Sequence, residues 1–168
     1  MKEKTHTPMT LAEKLRRKAV EGLPTIELEG ETYSIRQIKE IEYAELIDDC
    51  MAFARSKTST ELKGKEPNQM KVAMMQQLLA TQPEIEQLIG KINLNDSYSV
   101  AIAHAVTLSF GAMQCARSLT LADGRMAFST LDDRLALVDV LINDQAVIAS
   151  INGMMGQVGK NELPEASI

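Results

Sequence analysis

The sequence predicts a mainly α-helical (α+β) domain wrapped around one central buried helix at about 97–117. Three observations predict it. The stretch Ser97–Ala116 contains no Asp, Glu, Lys or Arg, and Asp96 and Arg117 close its two ends. The segments on both sides carry apolar residues at helical spacing, while β-type patterns are confined to short runs near 25–36 and 119–128. Ten methionines, no Trp and 4% aromatic residues suit helices packed with aliphatic and thioether side chains better than a β-sandwich.

Within the central stretch, Ile102, Val106, Phe110 and Met113 form one apolar row, and Val100, Ala101, Ala105, Leu108 and Ala112 fill the opposite side. A helix apolar all round is enclosed by protein or by lipid. Its length satisfies the requirement for a membrane span. Six polar side chains (Ser97, Ser99, His104, Thr107, Ser109 and Gln114) favour protein, because each would need a partner in hydrocarbon.

A tail is expected over 1–10, one domain over 11–159 and a second tail over 160–168. Leu11–Val20 reads as helical turns, with Thr10 and Glu13 spaced as a capping box. Residues 25–36 alternate polar and apolar around Gly30, giving a short hairpin that buries Ile26, Leu28, Tyr33 and Ile35. From Lys39 the period becomes helical: Tyr43, Leu46, Ile47, Cys50, Met51 and Ala54 form the stripe, with Glu42, Glu45, Asp48 and Asp49 mainly outside it. Ser56–Glu66 is polar and contains Gly64, which reads as a mobile loop.

Pro67 suits the first turn of a helix to about Thr81, with Met70, Met74 and Leu78 on one face. Pro83 opens a shorter helix carrying Ile85, Leu88, Ile89 and Ile92. Asn95 or Asp96 caps the central helix. Asp123-Gly124 between apolar runs predicts a second small hairpin over about 119–128. Ser129 or Thr130 then caps a helix burying Leu131, Leu135, Val138 and Ile142, and a last helix presents Val147, Ile151, Met154, Met155 and Val158.

At 168 residues the chain is long enough to bury a sizeable core. Its net charge of −5 argues against a nucleic-acid groove, since phosphate neutralisation needs clustered Lys and Arg. The one basic cluster noted, Lys14, Arg16, Arg17 and Lys18, reads as a solvated helix face. The polar N-terminus lacks an apolar run, so the reading is cytosolic with no secretory signal and no membrane span. Cys50 and Cys115 fall on apolar helix faces and read as buried thiols.

Reactive chemistry finds little footing. His104 has no Cys or His at metal-ligand spacing and reads as a hydrogen-bonded core or interface histidine. Ser109 lacks the preceding glycine of a nucleophile elbow. Gly153, Gly156, Gly159 and Lys160 miss the phosphate-loop spacing, with Asn161 where Ser or Thr belongs. Asp48-Asp49 and Asp132-Asp133 sit where solvated faces and helix starts explain them. No catalytic residue, cofactor or metal is therefore expected. Met74, Met75, Met154 and Met155 are the candidate partner-binding residues, because flexible thioethers form adaptable apolar surfaces.

The order of features also carries a resemblance. A basic N-terminal helix leads to Leu23-Pro24-Thr25, a hairpin around Gly30, Ser34-Ile35-Arg36-Gln37-Ile38 and an acidic helix with Glu42-Tyr43-Ala44-Glu45-Leu46. An apolar helix follows, then Ala122-Asp123-Gly124-Arg125, Phe128-Ser129, an acidic helix and a helix breaking up near Gly159. From Leu11 to Gly159 this pattern resembles the tail assembly chaperones of long-tailed bacteriophages and related prophage particles. The resemblance implies a non-enzymatic protein of the bacterial host cytoplasm, absent from the mature virion. Its implied partners are the tape measure protein and tail tube protein, together with further copies of itself as a homo-oligomer. A small helical adaptor or regulatory domain with a ligand or partner groove is the alternative.

Overall fold

The computed structural model describes residues 8–161. The expected tails fall mostly outside them, as does the side chain of Leu88. In chain order the elements are α1 (Leu11–Val20), β1 (Thr25–Leu28), β2 (Glu31–Ile35), α2 (Tyr43–Lys57), α3 (Gln69–Thr81), α4 (Pro83–Ile89), α5 (Ser97–Ser118), β3 (Leu119–Thr120), α6 (Leu131–Leu141) and α7 (Gln145–Asn161). Short 3-10 turns at Glu40–Glu42 and Thr60–Leu62 flank α2.

The central helix α5 packs against α2, α3, α6 and α7. By length and mean hydropathy (1.3) it would suit a membrane span, and half of that stretch is buried within the protein. Its C-terminal half is enclosed most completely: Ala112, Met113 and Cys115 to Ser118 are all buried. There they join Ile35, Leu46, Phe53, Leu119, Val138 and Ile151 in the main core. A smaller cluster of Met75, Leu79, Val100 and Ala103 holds α3 on the N-terminal half. The enclosure has one gap that the sequence reading does not anticipate, for Leu108 stands 51% exposed.

The first hairpin follows its alternation. Ile26 pairs with Tyr33 and Leu28 with Glu31 across a two-residue turn. Both turn residues, Glu29 (φ 50°) and Gly30 (φ 80°), are left-handed, as the right-handed twist of such a hairpin requires. The second hairpin forms about its Asp123-Gly124 turn, and its first arm also extends the first hairpin. β3 joins β2 antiparallel, through Ser34–Thr120 and Ile35–Leu119, making one three-stranded sheet. The return arm pairs with β3 through an antiparallel bridge between Met126 and Thr120, with the Ala127 amide donating to the Leu119 carbonyl and the Leu121 amide to the Arg125 carbonyl. Gly124 makes the turn at φ 83°, and a Cβ there would lie 2.4 Å from the Arg16 carbonyl oxygen. Only glycine lets the turn meet α1. Helix α1 itself carries the Thr10–Glu13 capping box and buries none of its residues.

Several faces differ from expectation. In α3 the inward row is Met75 and Leu79, with Val72 and Leu78 beside it, while Met70 is 79% exposed. The helix is apolar on nearly every side, so periodicity admits both rows; packing on Val100 and Ala103 selects this one. Pro67 precedes the helix, and Asn68 supplies the cap by accepting from the Met70 amide at 2.8 Å. In α6, Arg134 and Leu141 are buried and Leu131 is exposed. Helix α7 continues through Gly159, where a Cβ would meet the Gln37 side chain at 2.6 Å.

The largest correction concerns Asp49. It lies 7% exposed between Leu46 and Phe53 on the inward face of α2, while its neighbour Asp48 faces solvent. Its carboxylate accepts from Arg117 Nε of α5 (2.7 Å) and from Arg134 Nε and Nη2 of α6 (2.8 and 3.2 Å). Arg117 Nη1 also reaches Glu45 at 3.0 Å, and Arg134 Nη1 donates to the carbonyls of Phe128 and Ser129. The Arg117 carbonyl in turn accepts from Arg36, whose guanidinium grips Glu42 through both nitrogens. Removing one member of a buried ion cluster strands the others without water. Asp49→Ala is therefore expected to lower unfolding free energy by about 3–5 kcal/mol in urea titration. Asp48→Ala should change it by no more than about 0.5 kcal/mol; equal costs at the two sites would contradict this assignment.

Candidate functional site

The candidate site lies where α3 and the segment after α2 meet the N-terminal half of α5. Small side chains there, Ala101 and Ala105, leave room that bulkier residues would fill. The result is a cavity of about 340 Å³. Met74, Met75, Val100, Ala101 and Ala105 give it apolar walls, and Lys57, Ser59, Lys71, Ser97 and His104 place polar groups around them.

One wall is the stretch that the sequence presents as a mobile loop. It is instead tied to the start of α5. The Gly64 amide donates to Asp96 Oδ1 at 2.7 Å, and the Ser97 amide donates to the Lys65 carbonyl at 2.8 Å. Asp96 also caps α5, accepting from the Ser99 hydroxyl and amide at 2.8 and 2.9 Å. One carboxylate thus serves both helix and loop. Lys63 stacks its ammonium 5.0 Å from the Tyr98 ring centroid, adding a second tie.

The four methionines named from sequence do not form one surface. Met75 is fully buried and lines the cavity from within, whereas Met74 is 46% exposed beside it. Met154 and Met155 are half-buried and lean on the main core, in a different cluster from Met75. His104, read as a hydrogen-bonded core or interface histidine, lies half-buried on the cavity wall with no hydrogen-bond partner among the described residues, so it is not a bonded core histidine. Sequence reasoning missed the lysines. Residues 55–71 hold five basic and two acidic side chains within a chain of net charge −5, and that local reversal was readable.

Other groups offer little reactivity. Cys50 and Cys115 are buried free thiols, and burial pushes both up to about 12, so they persist as unreactive thiols at neutral pH. Among the described residues no group of three or more His, Cys, Asp or Glu is placed to hold a metal ion. A wider hollow of about 690 Å³ on another side of α5 is bounded by Tyr43, Ile85, Thr107, Phe110 and Gln114. No family model, curated protein or solved structure matches the chain.

The Asp96 junction gives the cavity wall a pH dependence. Hydrogen bonds from the Ser99 side chain and amide, and then from Gly64, hold the carboxyl below its ordinary value of 3.8. A depressed folded pKa contributes stability above the unfolded value and loses it as pH falls through the folded one. On acidification below pH 3.8, the wild type should therefore lose more thermal stability than Asp96→Asn, measured as Tm against pH. Parallel curves for the two proteins would remove Asp96 from this role.

Proposed function

We propose that the chain is a non-enzymatic tail assembly chaperone of a long-tailed phage or prophage-derived particle. It binds the tape measure protein and helps recruit tail tube subunits, acting in the bacterial cytoplasm as a homo-oligomer. The observation that carries this reading is the methionine-walled cavity beside the central helix, with Met74 at its edge. A tape measure protein is a long, largely apolar helical rod that needs its surface covered before tube subunits arrive. A groove walled by flexible thioethers accepts apolar side chains of varied shape from such a rod. The element order that suggested the resemblance, from a basic helix and hairpin through an acidic helix to the central helix, supports the same reading.

The cavity's size also favours a second reading, a helical adaptor domain that holds a small ligand, since about 300 Å³ is the lower end for such sites. Co-expression with the tape measure protein separates the two. Copurification and raised solubility of that protein are expected, and the absence of both would sink the chaperone reading. Met74→Asp should abolish capture and leave the far-UV circular dichroism unchanged. Met75→Asp should instead unfold the chain, because it buries a charge in the core. Capture by a folded Met74→Asp protein would exclude this groove as the contact.

A further inference from the structure

The cavity's mouth carries the charge opposite to the chain as a whole. Of its lining residues Lys57 and Lys71 are charged and exposed, and no Asp or Glu is among them. Lys57 is partly neutralised by Asp139, at 2.8 Å with both side chains about half exposed. Lys71 has no ion pair among the described residues, and it shares the cavity lining with Met74, Ser97 and His104. Ser97, the first residue of α5, adds a polar group to the same lining, its amide already donating to the Lys65 carbonyl.

We propose that this cavity selects a partner helix presenting an aliphatic or thioether anchor with a carboxylate one turn away. The anchor enters the apolar walls formed by Met75, Val100, Ala101 and Ala105. The carboxylate then meets Lys71, beside His104 on the same wall. A space of about 340 Å³ takes one or two side chains and leaves the rest of the partner on the surface. A basic partner is rejected by like charge at the rim, so the charge sets specificity and the apolar anchor sets affinity. The inference rests on the reading that this groove captures a partner segment, and it names the chemistry of that segment.

Two fluorescent helical peptides of about 20 residues test it. Both carry leucines at i and i+4; one has glutamates at i+3 and i+7, the other lysines at those positions. Titrated with the full chain and followed by anisotropy, the glutamate peptide should bind at least about tenfold tighter, with the gap narrowing as salt is added. Lys71→Glu should reverse the preference, and Ala101→Leu, which fills the cavity, should weaken both peptides. Equal binding of the two peptides overturns the inference. So does failure of the glutamate peptide to bind a protein with native circular dichroism. If the tape measure protein copurifies but the glutamate peptide fails, this inference alone falls. Should the peptide bind without copurification, the chaperone reading alone falls.

Discussion

A single buried carboxylate shared by two guanidinium groups holds this molecule together. Asp49 comes from α2, Arg117 from the end of α5 and Arg134 from α6, and all three are less than a tenth exposed. Burying such charges is costly, and only close geometry with every polar atom bonded offsets it. That condition is met: no buried side-chain nitrogen or oxygen among the described residues lacks a partner. The cluster also fixes direction, because a guanidinium fork accepts its carboxylate from a narrow range of angles. Hydrophobic packing alone would let α2 and α6 slide along α5; three short ion contacts do not.

This lock explains how the two halves of α5 differ. At its C-terminal end the helix is surrounded by core, extended by β3 into the sheet, and joined through Arg36 to the start of α2. At its N-terminal end α5 offers the small side chains Ala101, Ala103 and Ala105 to Met75 and Leu79 of α3 and to a loop tied by Asp96. There the fold tolerates an open cavity, because the register of the helices is already set elsewhere. A rigid end and an accommodating end suit a protein that binds through shape and charge. Nothing in the groove beyond His104 resembles a general base, and the thiols are sealed away from it.

Much of this was legible in the residues. The cap at Thr10 is legible outright, and those at Asp96 and Thr130 to within one neighbour, because Thr and Asp side chains bond amides a few residues ahead. Glu29-Gly30 and Asp123-Gly124 mark turns because left-handed backbone is needed there. The hidden features share one cause: they depend on partners distant in sequence. Asp49 looks like Asp48 until Arg117 and Arg134, 68 and 85 residues away, come to meet it. The run from Met70 to Leu79 offers two apolar rows, and only α5 chooses between them. β3 reads as half of a local hairpin, and what stays hidden is its second pairing, with the distant β2. The cavity was legible only through Met74 and Met75; of its lysines, Lys57 lies in the stretch that reads as a loop and Lys71 on the methionine helix.

Amide hydrogen exchange along α5 tests the asymmetry most directly. The strongest protection should fall over 112–118, beside the Asp49 cluster, and decline toward 97–105, beside the cavity. Uniform protection along the helix, or a maximum at its N-terminal end, would contradict the claim that this ion cluster is the anchor of the fold.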